Sequence, residues 1–246
     1  MTENFKVNIF GIKVFQIECV TKCKYAEKGQ LGGYIEKEEN ISGDAWVSGD
    51  AQVYGDAQVS GNAWVYGDAW VSGNAQVYGD AWVSGNAQVY GDAQVYGDAR
   101  VSGNAQVSGN AQVYGDAQVS GDAQVYGNAW VYGDAWVYGN AWVYGDAQVY
   151  GDAQVYGDAR VSGNARVYGN AWVSGNADYC CFQSFGSSNR TTTVFREKEG
   201  KLKVSCGCFS GTIEEFKKQV IATHKDNQYA KVYLEIIKVI KIKFNL

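Results

Sequence analysis

A six-residue unit, Gly-Asp/Asn-Ala-x-Val-Ser/Tyr, repeats without insertion across more than half of the 246-residue chain. Its glycines run in strict step from Gly43 to Gly175 and number 23. The aliphatic position starts earlier, at Ile35, and recurs 24 times up to Val173. A fixed period of this kind decides the class of fold, because each unit must build the same piece of structure.

Each hexad is typical of a short strand followed by a sharp corner. Ala and Val lie two residues apart, so both point to one side of an extended segment, and the residues Gln, Trp or Arg and Ser or Tyr point to the other. Gly with Asp or Asn tolerates the left-handed backbone angles of a corner. Regular glycine and β-branched valine oppose a helix, and no unit supplies a longer return turn for hairpins. The sequence therefore predicts a solenoid of parallel stacked strands.

Units such as Val-Tyr-Gly-Asp-Ala-Gln resemble the hexapeptide repeat of left-handed β-helices, as found in the trimeric acyltransferase-like superfamily. The resemblance implies three hexads per coil, a triangular prism filled by the aliphatic and small residues, and a left-handed course. The 24 aliphatic positions then make about 8 coils, and a strand spacing of ~4.8 Å makes a rod roughly 38 Å long. We expect a mainly β protein: an N-terminal β cap over 1–34, a left-handed parallel β-helix over 35–177, and a small C-terminal α+β domain over 178–246.

The segment before the repeat predicts a structure that closes the end of the rod. Residues 4–20 are typical of one or two strands broken at Gly11. A cap is expected because a solenoid end exposes unpaired backbone and an apolar interior. The run Leu-Gly-Gly-Tyr-Ile-Glu at 31–36, followed by Asn-Ile-Ser and then hexads, resembles the start of repeat proteins common in bacterial prophages and mobile elements.

After Ala177 the period stops, and the sequence predicts a small α+β domain. The expected strands are Tyr179–Phe185, Thr191–Phe195 and Leu202–Phe209. Thr212 with Glu215 is a capping box that opens a helix reaching about Thr223. A second helix is predicted over 228–238, and the alternating residues Lys241–Phe244 are expected to form a closing strand.

Charge is unevenly distributed along the chain. The net charge of −5 combines −10 between Asp44 and Asn176 with +5 over residues 177–246, while the first 43 residues balance. A basic C-terminal domain favours an anionic partner, such as a nucleotide or another anionic small molecule. No secretory signal opens the sequence and no run of about 18 apolar residues occurs, so we expect a cytoplasmic protein without a membrane span. The six cysteines then stay reduced.

Aromatic residues of the repeat are expected to align in columns. With 18 residues per coil, one column contains Trp46, Trp64 and Trp82, rejoined by Trp136 and Trp172. A second column contains tyrosines at the same spacing, and the candidate interface residues are Trp46, Trp64, Trp82, Tyr96, Tyr114, Tyr132 and Tyr150. Two interpretations stay open: the columns stabilise the rod as ladders, or they form a surface for self-association, giving a homo-oligomer, or for a flat partner.

The enzymes among hexapeptide proteins place a catalytic histidine in a cleft between subunits, from a coil or an inserted loop. The coils of this chain contain no histidine and no inserted loop, and His224 is the only histidine. We therefore assign no catalytic residue and no cofactor. Cys180, Cys181, Cys206 and Cys208 lack the usual zinc spacing, and adjacent cysteines on a strand point to opposite faces, so we expect packing thiols and no metal.

A polar cluster from Gly186 to Thr193, followed by Arg196, contains the side chains best suited to an anion. Hydroxyls, amides and arginines donate hydrogen bonds to phosphate oxygens. The candidate ligand-binding residues are Arg190, Thr191, Thr192, Thr193, Arg196 and His224. The other interpretation is a polar loop that leads into a strand.

The sequence supports three functional hypotheses. The first is a non-enzymatic rigid scaffold or binding module of phage or prophage type, which engages a protein partner through the C-terminal domain or the aromatic faces of the rod. The second is a phage anti-defence protein that sequesters a nucleotide signal or blocks a host enzyme. The third is a hexapeptide acyltransferase.

Overall fold

The computed structural model describes all residues from Met1 to Leu246. Hexads fold as predicted: each contributes a strand of two or three residues, and each strand pairs in parallel with the strand 18 residues away, as Trp64 pairs with Trp82. Three sheets run along the rod and make about eight coils.

The first sheet has ten strands, because the N-terminal segment adds three to it: Phe5–Val7, Lys13–Glu18, Leu31–Ile35, Gln52–Val53, Trp70–Val71, Gln88–Val89, Gln106–Val107, Gln124–Val125, Trp142–Val143 and Arg160–Val161. The second sheet has eight: Trp46–Val47, Trp64–Val65, Trp82–Val83, Arg100–Val101, Gln118–Val119, Trp136–Val137, Gln154–Val155 and Trp172–Val173. The third sheet has seven: Gln58–Val59, Gln76–Val77, Gln94–Val95, Gln112–Tyr114, Trp130–Tyr132, Gln148–Tyr150 and Arg166–Tyr168.

The interior of the rod is closed to solvent. Every repeat alanine and valine from Ala51 to Val167 has an exposed fraction of 0%. The residues between them point outward and range from buried to exposed, so the predicted division into inside and outside is confirmed. Burial of one small and one β-branched side chain per hexad supplies the hydrophobic free energy that holds the coils together.

Glycine is required at the corners by two separate constraints. Gly103, for example, has φ +70°, a conformation that residues with a Cβ adopt at a cost. A Cβ at this position would also lie 3.0 Å from the backbone N of Gly121 in the next coil. The following Asn or Asp side chains form ladders of their own, and Asn104 donates to Asp122 at 2.8 Å.

The N-terminal segment covers the first coil. The strand Phe5–Val7 pairs antiparallel with Lys13–Glu18, which pairs antiparallel with Leu31–Ile35, and a 3₁₀ turn follows at Glu38–Asn40. A Cβ at Gly32 would lie 2.5 Å from the carbonyl oxygen of Val47, which explains the glycine pair in this segment. Because the 3₁₀ turn directs the backbone N–H of Asn40 to the carbonyl oxygen of Lys37, the side chain Nδ2 of Asn40 donates instead to the carbonyl oxygens of Gly55 and Ala57 in the next coil.

Side chains also cap the last coil, once on each face. Its free N–H groups would have paired with a further coil. Instead, the backbone N–H of Arg160 donates to Asn176 Oδ1, that of Arg166 to Thr193 Oγ1, and that of Ser174 to Asp178 Oδ2, at 3.0–3.1 Å. These backbone donors of the last coil are thereby satisfied within the chain.

Beyond the rod, a four-stranded antiparallel sheet is followed by two helices. Its strands are Tyr179–Phe185, Arg190–Arg196, Leu202–Cys206 and Phe209–Gly211. Helix α1 spans Ile213–His224 behind the predicted capping box, and helix α2 spans Gln228–Phe244. One face of the sheet packs on the helices and the other faces the last coil. Neither helix is long and apolar enough to cross a membrane.

Two predictions about this region are wrong. Lys241–Phe244 is the last turn of α2 and not a strand, because Ile240 and Phe244 lie one helical turn apart and both are buried against the sheet. Leu202–Phe209 is not one strand but a hairpin, because Gly207 adopts φ +59° and reverses the chain.

Candidate functional site

The tyrosine column is confirmed as a regular ladder on the third sheet. Its successive rings stack with centroids 4.8–5.0 Å apart and planes within 1–11° of each other: Tyr78, Tyr96, Tyr114, Tyr132, Tyr150 and Tyr168. Partial burial in the stack raises the pKa of the phenol of Tyr114. Each ring thus covers the next while keeping one edge in solvent, so the ladder stabilises the rod and still offers a surface.

The first three tryptophans of the tryptophan column pack against the N-terminal segment of the same chain. Trp46 is buried under the N-terminal cap, with only 4% of its surface exposed. Trp64 stacks on Tyr25 at 4.8 Å, and Trp82 Nε1 donates to the hydroxyl of Tyr25 at 3.3 Å. The N-terminal segment therefore contacts the three tryptophans that the sequence offered as interface residues and leaves the four tyrosines uncovered.

Two exposed tryptophans were not among the candidate interface residues, although the sequence placed one of them, Trp136, in the tryptophan column. Trp130 and Trp136 have exposed fractions of 38% and 44%, and both pair with glutamine-bearing strands above and below. The signal was available, because a residue 18 positions away identifies each vertical neighbour. These two rings, rather than the N-terminal three, are the tryptophans that solvent reaches most.

The candidate ligand-binding residues lie on three different surfaces. Thr192 is fully buried on the helix side of the sheet, where its hydroxyl donates to Cys206 Sγ at 3.2 Å. Thr191 and Thr193 face the last coil. Arg196 lies at the far end of the same strand, where it forms an ion pair with Asp178 at 3.3 Å and covers the ring of Phe244. The structure therefore does not bring Arg196 together with Arg190.

Arg190 lies between two cavities. The first, of about 360 Å³, opens between the sheet and α1, and it is half apolar. Its walls include Phe209, Phe216 and His224, whose ring stacks on Tyr233 at 5.8 Å. Burial and the Cys206 thiol raise the pKa of Tyr233 to about 12, so this phenol stays protonated.

The second cavity, of about 320 Å³, is the cleft between the sheet and the last coil, and no hydrophobic residue lines it. Its residues are Asn164, Arg166, Asn189, Arg190, Thr191, Thr193, Ser205 and Gly207. Arg166, from the rod, was not among the sequence candidates. Two further cavities lie at the N-terminal cap and on the helices.

The cysteines pack on opposite faces of the sheet, as expected for neighbours on a strand. Cys180 lies against the helix-side core and Cys181 against the rod. Burial raises the pKa of the Cys180 thiol to about 11, which suits a packing residue. No group of three or more His, Cys, Asp and Glu side chains is arranged to hold a metal ion.

The fold defines the class of protein: the chain is built around a parallel repeat β-helix. A family model described as the YdcK beta solenoid repeat matches residues 57–73, 75–92, 93–109, 105–121, 123–139, 135–151, 153–167 and 159–175. All of these segments belong to the rod, whose repeats are therefore similar to that family. None of the curated proteins matches the chain.

Proposed function

We propose that the protein is a rigid, non-enzymatic scaffold that presents a binding unit, residues 178–246, at one end of a β-helical rod. The partner engages this unit or the half-exposed ladder of tyrosines. Similarity of the rod to a family of solenoid repeats supports a scaffold, because stacked repeats make stiff surfaces without needing a catalytic centre.

The joint between rod and terminal unit carries the proposal. Phe195, from the terminal sheet, is fully buried in the core of the rod and meets the ring of Tyr168 at 5.5 Å. Backbone pairing across the joint reinforces this contact, since the N–H of Lys198 donates to the carbonyl oxygen of Asn170 at 3.1 Å and Ala171 forms an antiparallel bridge with Glu197. A continuous core makes the terminal unit an extension of the rod and not a tethered domain.

The rod itself is suited to be a spacer. Its closed interior leaves no space for a substrate between the coils, and its surface carries a net charge of −10 between Asp44 and Asn176. The acyltransferase alternative gains no support, because the single histidine lies on the terminal unit and outside the coils. The left-handed course, the phage setting, the cytoplasmic location and homo-oligomerisation stay predictions within this proposal.

Pulsed electron-spin distance measurements test the rigid presentation. One label replaces Val20 in the cap and another replaces Ile242 in α2, both exposed, through an encoded amino acid that spares the native cysteines. We expect one narrow distance distribution. A second chain that duplicates residues 103–120 should lengthen the distance along the rod by about 4.8 Å without broadening it.

A broad or bimodal distribution in the parent chain would contradict a rigid joint. As a matched control, Phe195→Ala removes the ring shared by rod and terminal unit. It should broaden the distribution while leaving the circular dichroism of the rod in place.

A further inference from the structure

The cleft between the terminal sheet and the last coil is a product of how the sheet meets the rod. Thr191 and Thr193 alternate along one strand, and Ser205 pairs with Thr193 on the next, so their side chains share the face turned to the last coil. Asn164 and Arg166 of that coil form the opposite wall. Two segments distant in sequence thus contribute donors to one space.

The three arginines of the rod have different surroundings. Arg100 lies over the ring of Trp82 at 4.8 Å, and Arg160 lies over the ring of Trp142 at 4.6 Å. In each pair the tryptophan is the vertical neighbour one coil below. Arg166 has Gln148 in that place, and its guanidinium forms no ion pair and no cation–π contact. Burial raises the pKa of Tyr132 and Tyr150 and the charge of Arg166 opposes that rise, so the guanidinium lies near the tyrosine ladder; the residue also lines the cleft.

Arg190 lines this cleft as well as the cavity beside α1, at the edge of the terminal sheet. Its side chain lies across the turn at Gly207, where a Cβ would come within 2.7 Å of one guanidinium nitrogen. None of the ion pairs in the chain includes Arg190 or Arg166. Both arginines are exposed and both line this cleft, so an anion placed there would be attracted by two positive charges.

We propose that this cleft binds the phosphate group of a small molecule. Two guanidinium forks match the oxygens of a phosphate and favour its two negative charges over a single carboxylate. The hydroxyls of Thr191 and Ser205 add neutral donors, while Thr193 Oγ1 accepts from the backbone N–H of Arg166. A volume of about 320 Å³ admits the phosphate together with part of the group that bears it.

Isothermal titration calorimetry of the full chain at low salt tests this site with three probes: inorganic phosphate, AMP and adenosine. We expect phosphate and AMP to bind and adenosine not to bind. Affinity should fall as potassium chloride is added, because salt screens the attraction between charges. AMP binding more tightly than phosphate would identify a nucleotide-type ligand, and equal affinity would identify the phosphate group alone; either result supports the site.

Variants locate the ligand. Arg166→Gln and Arg190→Gln should each weaken binding about 10-fold or more, the usual effect of losing a hydrogen bond between charged groups. Gln148 occupies the equivalent place one coil below Arg166, so Arg166→Gln should melt at the parent temperature. Arg160→Gln is the matched control, since it removes the same charge from the same coil but from a guanidinium stacked on Trp142. Its affinity should equal that of the parent chain.

Three results would overturn the proposal: no binding of either phosphate probe at millimolar concentration, equal binding of AMP and adenosine, or binding indifferent to Arg166→Gln. A ligand lost on Gln219→Ala but kept on Arg166→Gln would lie in the cavity beside α1. The spin-label distances do not depend on any ligand, so the scaffold and the phosphate site can fail separately.

Discussion

Replacing Val113 by aspartate is the sharpest test of the closed interior. Val113 is fully buried between Val95 and Val131, its neighbours in the coils below and above. Aspartate is similar in size to valine although it branches at Cγ and not at Cβ, so the main change is one of polarity. Gln112→Asp is the matched control, because Gln112 precedes Val113 on the same strand, points outward and is only half-buried.

The expected cost follows from desolvation. A carboxyl in water has a pKa near ~3.9, and burial raises the pKa by up to about 3–5 units. Keeping this carboxyl neutral at pH 7 costs about 4 kcal/mol, at about 1.36 kcal/mol per pH unit. The protonated group without a hydrogen-bond partner adds roughly 1–3 kcal/mol. Gln112→Asp should cost less than about 1 kcal/mol.

Urea unfolding followed by circular dichroism measures both variants at two pH values. Because burial raises the folded-state pKa of the new carboxyl, its penalty is smallest below about pH 4 and grows as the pH rises towards that raised pKa. The deficit of Val113→Asp should therefore shrink by about 2.7 kcal/mol between pH 7 and pH 5. Equal losses in the two variants, or a deficit independent of pH, would refute the division into inside and outside.

Three further predictions concern the coils and their end. Deleting residues 103–120, one whole coil, should leave a folded chain, whereas deleting 103–108 should lower the melting temperature sharply, because the two caps would meet the wrong faces; equal melting temperatures would contradict this. Thr193→Val should cost about 1 kcal/mol in urea unfolding and expose the amide of Arg166 to hydrogen exchange, since its acceptor is lost; an unchanged exchange rate would show that the cap is dispensable. Burial raises the pKa of Tyr114 above its ordinary value of 10.0, so the ladder stabilises the fold below that pH and loses this contribution as the pH passes the raised pKa. Tyrosinate absorbance should therefore appear at higher pH in the native chain than in the urea-unfolded chain. Coincident pH titration curves for the two states would count against the ladder.

The rod was predictable from the sequence because the residue spacing, the corner residues and the stacking of the repeats all favour the same fold. Spacing of Ala and Val selects an extended segment, and Gly with Asp or Asn selects the corner; agreement between local preference and stacking leaves one fold. The terminal unit offers no such repetition. Lys241–Phe244 fits both a strand and a helix, and the residue that decides is Ile240, buried one turn before Phe244.

Only one wall of the cleft could be predicted from the sequence. Arg190 and its threonines form a polar cluster in sequence, but Arg166 sits in a hexad like those of Arg100 and Arg160. What separates Arg166 is the residue 18 positions earlier, glutamine in place of tryptophan, together with a terminal sheet that folds over the last coil. The first signal is readable from the sequence once the coil length is fixed. The second needs the packing of Phe195, which no local pattern indicates.

Disulfide trapping tests the coil of three hexads most directly. Gln94 and Gln112 are paired on neighbouring strands of the third sheet, where the strand spacing of about 4.8 Å suits a disulfide. Gln106 lies on a different sheet. The account predicts that Gln94→Cys with Gln112→Cys forms a bond on mild oxidation, identified by peptide mass mapping, and that Gln94→Cys with Gln106→Cys does not. A bond in the second pair and none in the first would contradict the coil itself.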